Sequence, residues 1–161
     1  ARAHVVLVCC DKPDAGVIDR AWKLNTPCYL FGAAELKSGT LLKELKEQGI
    51  TLVVLAGFMR LLPAELIHAF PDRIVNIHPS LLPKFGGKGM YGHHVHEAVI
   101  ASHEKESGIT IHLVNEHYDE GRVLFQAKCE VFADDTPEVL AARIHALEHA
   151  HYPAVVESLV Q

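Results

Sequence analysis

Arg73-Ile-Val-Asn-Ile-His-Pro-Ser-Leu-Leu-Pro83 is an apolar run interrupted by two polar side chains and closed by proline. Ile74, Val75 and Ile77 are β-branched, and a short run of such residues predicts a buried strand. Pro79 ends the ladder because it has no N–H to give. Alternate side chains on a strand share a face, so Asn76 and His78 point the same way. A carboxamide and an imidazole then stand together where a buried strand opens into a loop. In open α/β sheets that carboxyl end is where ligands bind. The pair offers a donor for an oxyanion and a proton carrier that titrates near neutrality. A strand end whose polar groups only cap the loop backbone has the same spacing, so spacing alone does not decide between the two.

The flanking sequence places this strand in an α/β fold. His4–Cys9, Pro27–Phe31 and Thr51–Ala56 are short apolar runs that predict three further strands. Helices are predicted between them, one capped by Asp14 and reaching Leu24, the other from Lys37 to Gln48 with Leu41, Leu42 and Leu45 at helical spacing. A short helix from Pro63 to about Phe70 precedes the Asn76–His78 strand. A loop carrying four glycines, Lys84–Gly92, leads to a helix from His94 to Glu104. Gly108–Val114 and Val123–Val131 predict two more strands. The link between them, Asn115–Arg122, is too short for a helical crossover and predicts an antiparallel hairpin. Thr136 followed by Pro137 starts a final helix reaching towards Val160. The expected architecture is a Rossmann-like, mostly parallel sheet with antiparallel C-terminal strands and a long C-terminal helix.

With 161 residues, 49% hydrophobic and 22% charged, the chain is expected to form one domain with a filled core. No run approaches the roughly 18 apolar residues of a membrane span, and no basic-then-apolar leader opens it. A net charge of −5 argues against nucleic-acid or membrane partners. The four cysteines form no Cys-x-x-Cys pair, so reduced thiols and a cytoplasmic setting are expected. The 12 histidines are an excess that needs a cause.

Other groups compete for chemistry. Asn115-Glu-His-Tyr-Asp-Glu-Gly121 holds three carboxylates and a histidine in the hairpin link. Asp119 there could orient His78 and raise its pKa, although acidic turn residues are commonly just solvated. His93, His94, His96 and His103 cluster at a loop–helix junction, but no cysteine or carboxylate stands at ligand spacing, so no metal is expected. His145-Ala-Leu-Glu-His149 has histidines at i, i+4 without the His-Glu-x-x-His order of a helical zinc site.

The runs Leu55-Ala-Gly-Phe-Met-Arg-Leu-Leu62, Asn76-Ile-His-Pro-Ser-Leu-Leu-Pro83, Gly108-Ile-Thr-Ile-His112, Tyr118-Asp-Glu-Gly121 and Glu148-His-Ala-His-Tyr-Pro153 together resemble the phosphoribosylglycinamide formyltransferases. The likeness covers nearly the whole chain in order. It implies transfer of a formyl group from 10-formyltetrahydrofolate, as co-substrate, to the amine of glycinamide ribonucleotide, with no permanently bound cofactor. It implies Asn76, His78 and Asp119 as the catalytic trio. It implies a folate pocket of Met59, Arg60, Leu61, Leu62, Asn115, Glu116 and Asp119, with the pterin held mainly by backbone. Glu148 matches a ribonucleotide contact, and His94 and His96 a pair at the periphery of the active site. Partners are then small molecules, and the protein a monomer or homodimer.

The family resembled opens with a further strand and a Gly/Ser-rich phosphate loop, whereas Ala3–Cys9 matches its second strand. The domain over residues 1–161 is therefore expected to be N-terminally incomplete relative to the family. As given, it is expected to bind a folate analogue and to hold the ribonucleotide poorly. The alternatives are a 10-formyltetrahydrofolate hydrolase and a non-catalytic folate-binding remnant. A methionyl-tRNA formyltransferase, which adds a nucleic-acid-binding domain, suits this acidic chain less well.

Overall fold

The computed structural model describes residues 3–117 and 119–160, which form six strands and six helices. β1 (Val8–Cys10) and β2 (Cys28–Leu30) make one parallel pair. β3 (Val53–Val54), β4 (Ile74–His78), β5 (Glu106–Leu113) and β6 (Val123–Glu130) make a second sheet in that order. β3 and β4 are parallel, while β4–β5 and β5–β6 are antiparallel. The mixed α/β sheet with antiparallel C-terminal strands is as the sequence predicts. Across the two sheets of the described residues, parallel and antiparallel pairings are two each rather than mostly parallel, because β5 and β6 add two antiparallel ladders.

β4 divides the core. Ile74 packs with Phe31, Leu36, Leu41, Leu45 and Leu66, from the loop before α2 (Ala33–Ser38) and from α2, α3 (Thr40–Glu47) and α4 (Ala64–Ala69). Val75 and Ile77, which face the other way, pack with Val95 and Val99 of α5 (His93–Ala101) and with Leu140 and Ile144 of α6 (Pro137–Leu159). Asn76 and His78 share the Ile74 side by strand parity. Beyond the helices, that side is covered by loops.

Several boundaries differ from expectation for visible reasons. The first ladder covers only Val8–Cys10, since β2 is short and Pro27 can accept from Val8 N but cannot donate. The third strand is similarly brief, although Leu55 N–H still donates to the Val75 carbonyl at 2.8 Å. The helix expected over Lys37–Gln48 is two helices, broken at Gly39, which adopts φ +85°. Asp14 does not cap α1 (Gly16–Lys23); Ala15 holds that position and makes no side-chain bond. Thr136 does cap α6, its hydroxyl accepting from Val139 N at 3.2 Å. No helix among the described residues is long and apolar enough to cross a membrane.

α6 is anchored over the strand ends by Tyr152. Its hydroxyl donates to the Leu55 carbonyl at 2.6 Å and lies 3.3 Å from the Val75 carbonyl. Burial raises the phenol far above its ordinary range, so it stays a donor. Tyr152→Phe is expected to lower stability by about 1–3 kcal/mol, leaving a part-buried carbonyl short of a partner. Urea titration checks this: the midpoint should fall with the slope unchanged. An unmoved midpoint would mean that the bond contributes nothing.

Candidate functional site

A cavity of about 490 Å³ opens over the carboxyl ends of β3 and β4. Its walls are the 57–62 loop, the glycine-rich 87–92 loop, the hairpin link and residues of α5 and α6. Asn76 and His78 form part of its floor, as the strand alternation predicts.

His78 has a neighbour at each ring nitrogen but is hydrogen-bonded at one. Nε2 lies 2.7 Å from the Phe85 carbonyl, an acceptor only, so Nε2 carries a proton and donates. That leaves Nδ1 facing Asp119 Oδ1 at 3.5 Å. Burial lowers the His78 pKa below 6.5, and the Asp119 charge and the Phe85 carbonyl only partly offset it. The expectation of a raised pKa is therefore corrected. Desolvation outweighs the neighbouring carboxylate because the ring is almost sealed.

Asp119 adopts φ +55°, a conformation that aspartate tolerates better than most side chains. Its Oδ2 accepts from Gly87 N at 3.0 Å, joining the hairpin link to the glycine-rich loop. Gly121 lets this link turn tightly, since a Cβ there would collide with the Leu113 carbonyl. Tyr118, of the Tyr118–Gly121 motif, lies outside the described residues.

His112 belongs to the same constellation, and sequence reasoning gave it no role. It stands opposite Asn76 in the β4–β5 register. Its Nδ1 donates to the Leu113 carbonyl at 3.0 Å, so its Nε2 accepts from the Asn76 carboxamide at 3.4 Å. The same Nε2 is 3.7 Å from Asp119 Oδ1. One Asn76 N–H is thereby used, and the other has no hydrogen-bond partner among the described residues. Pairing Asn76 with the second strand of the predicted hairpin would have found it, but register is not readable from one sequence.

Met59, Arg60, Leu61, Leu62 and Asn115 all line the cavity. Arg60 is held by Asp11 at 2.9 Å, and the Asn115 side chain accepts from His117 N at 2.8 Å. Glu116 instead lines an adjoining groove with Lys37 and Arg60, and pairs with His68 at 2.7 Å. Glu148 reaches the cavity from α6 and meets His145 Nδ1 at 2.7 Å. His94 packs edge-on against Tyr91 and is not part of the cavity wall, whereas His96 is.

Burial, with His145, His93 and His78 nearby, depresses His96 to about 4. An unfolded histidine titrates near 6.5, so between those values the unfolded chain binds more protons. Stability should therefore fall as pH drops from about 6.5 to 4. The contribution is about 2 kcal/mol once solvent reaching the cavity side of the ring is allowed for. Chemical denaturation across that range checks it: a His96→Gln protein should lose less stability than wild type. Parallel curves would remove His96 as the cause.

Residues 1–156 match the formyl transferase family. The chain is 45% identical to a chloroplastic phosphoribosylglycinamide formyltransferase of Arabidopsis thaliana, over 98% of this chain and 56% of that protein. It is 37% identical to phosphoribosylglycinamide formyltransferase of Bacillus subtilis, over 98% and 81% respectively. Its fold superposes on the crystal structure of the enzyme of that name from Streptococcus pneumoniae with a TM-score of 0.88, at 37% identity, covering 97% of this chain and 87% of that one. The chain spans about half the length of the plant relatives it matches.

Proposed function

This chain belongs to the phosphoribosylglycinamide formyltransferase family, and on that premise we propose that its cavity transfers a formyl group from 10-formyltetrahydrofolate to the amine of glycinamide ribonucleotide. The observation that supports this reading is the meeting of Asn76, His78 and Asp119, from two separate segments, on one cavity floor. The amine nitrogen attacks the formyl carbon, and the carbonyl electrons move to oxygen. The second Asn76 N–H donates to that oxyanion, a contact worth about 3–4 kcal/mol in comparable sites. His78, neutral because it is buried, takes the proton released by the attacking nitrogen at Nδ1. Asp119, 3.5 Å away, stabilises the imidazolium so formed. Collapse of the intermediate re-forms the C=O bond and breaks the bond from carbon to folate N10. N10 takes up the proton, giving tetrahydrofolate.

Met59–Leu62 and Asn115 form the folate side of the cavity in this reading, with Glu116 in the adjoining groove where Arg60 and Lys37 stand. Glu148 marks the ribonucleotide side. A protein acting on small molecules, with no nucleic-acid partner, fits the net charge of −5, and a cytoplasmic setting fits its four free cysteines.

Incubating the full-length protein with 10-formyltetrahydrofolate, with and without glycinamide ribonucleotide, tests the proposal. Tetrahydrofolate and formylated ribonucleotide should appear in equal amounts. Formate release independent of the amine would instead identify a hydrolase.

A further inference from the structure

His78, Thr110 and Gln126 stand in one row across the sheet, paired in register from β4 to β5 and from β5 to β6. Cross-strand partners share a face, so all three side chains rise on the side where the loop after β4 folds back. Thr110 is fully buried, and its hydroxyl is fully used. It donates to the Ser80 carbonyl at 2.7 Å and accepts from Leu82 N at 3.0 Å and from Gln126 Nε2 at 2.9 Å. Gln126 Nε2 also donates to the Leu82 carbonyl at 3.0 Å. Leu82 is thereby pinned at both its N–H and its carbonyl. Ser80 Oγ closes the same turn on the Lys84 carbonyl at 2.6 Å.

The residue after this turn is the one that fixes His78. Phe85 has φ +55°, a region that bulky side chains rarely occupy and that persists only where neighbouring contacts enforce it. There its carbonyl meets His78 Nε2 at 2.7 Å. Without that acceptor the Asp119 carboxylate, 3.5 Å from Nδ1, draws the ring proton to its own side, because Nδ1–H can donate to it. A proton on Nδ1 leaves no acceptor there for the attacking amine.

We propose that Gln126 is a positioning residue for formyl transfer. Through Thr110 and Leu82 it holds the 80–85 turn, so that the Phe85 carbonyl keeps His78 protonated on Nε2 and open at Nδ1. This rests on the reading of His78 as the proton acceptor. Gln126 lies outside the cavity wall, on the last strand of the sheet, and acts only through the turn.

The test uses the full-length protein. Gln126→Met keeps the length of the side chain and removes both donors. Thr110→Val keeps the branched shape without the hydroxyl, and Thr110→Ser retains the hydroxyl. ¹⁵N NMR of His78, read above its pKa, should place the proton on Nε2 in wild type and in Thr110→Ser. In Gln126→Met and Thr110→Val the ratio of Nε2–H to Nδ1–H should fall about tenfold, the worth of one hydrogen bond. Turnover should fall about tenfold in the same two variants, with both KM values close to wild type. A merely structural role would lower the urea midpoint and leave tautomer and kcat unmoved, and that result overturns the proposal. So does a loss of kcat with an unchanged tautomer, or a wild-type His78 protonated on Nδ1. The NMR reading needs no turnover, so it separates this inference from the function. Were formyl transfer absent but the tautomer still dependent on Gln126, only the catalytic reading would fall.

Discussion

Alanine at Asn76 or at His78, in the full-length protein, is expected to lower turnover by at least about a hundredfold while folate affinity changes little. An oxyanion donor contributes about 10²–10³ in rate and a positioned proton acceptor about 10²–10⁴. Asn76→Ala removes the second N–H, the proposed donor to the developing oxyanion, and also the bond to His112 Nε2. His78→Ala removes the proton acceptor and frees the Phe85 carbonyl. Neither change touches Met59–Leu62, the wall proposed to hold the pterin. Steady-state kinetics with both substrates varied, beside titration of a folate analogue, decides the matter. A variant that keeps a tenth or more of wild-type turnover places the chemistry elsewhere. Loss of folate binding in step with turnover would indicate a damaged pocket rather than a lost catalytic group.

The second large effect is expected from Asp119→Asn. Asparagine keeps the size of the side chain and tolerates the φ of +55° at this position, but it removes the charge. In wild type, burial lowers the His78 pKa and the Asp119 carboxylate opposes that shift. Without the carboxylate the pKa should fall further, so His78 loses its proton at lower pH. Because the neutral ring is the acceptor, activity rises as pH climbs through this pKa. The acid limb of the rate profile should therefore move to lower pH in the variant. The maximal rate should nevertheless fall about a hundredfold, since the imidazolium formed during transfer loses its counter-charge. NMR titration of His78 in the two proteins gives the shift directly. An unchanged pKa would remove Asp119 from the trio. His112, also buried and within 3.7 Å of the same carboxylate oxygen, would then be the group it serves.

Much of the fold was legible in the chain. The run from Ile74 to His78 carried its own strand period, its terminating proline and its two polar side chains, so strand, face and exit followed from local chemistry. The short Asn115–Arg122 link demanded a hairpin, and Thr136-Pro137 demanded a helix start, because both are decided within a few residues. The Gly39 break was misread, since the leucines on either side keep one buried face across it.

Only the tertiary structure settled what depends on distance through space. It paired His112 with Asn76, a consequence of register between strands more than 30 residues apart. It brought the Phe85 carbonyl to His78 and set burial against the Asp119 charge, which reversed the expected direction of the pKa. It separated His94 from His96 at the helix entrance, leaving one on Tyr91 and the other in the cavity wall. Sequence determines which groups are present and which local face they share. Desolvation and hydrogen-bond partnership are set by what folds over them, and here that is a loop and a hairpin link.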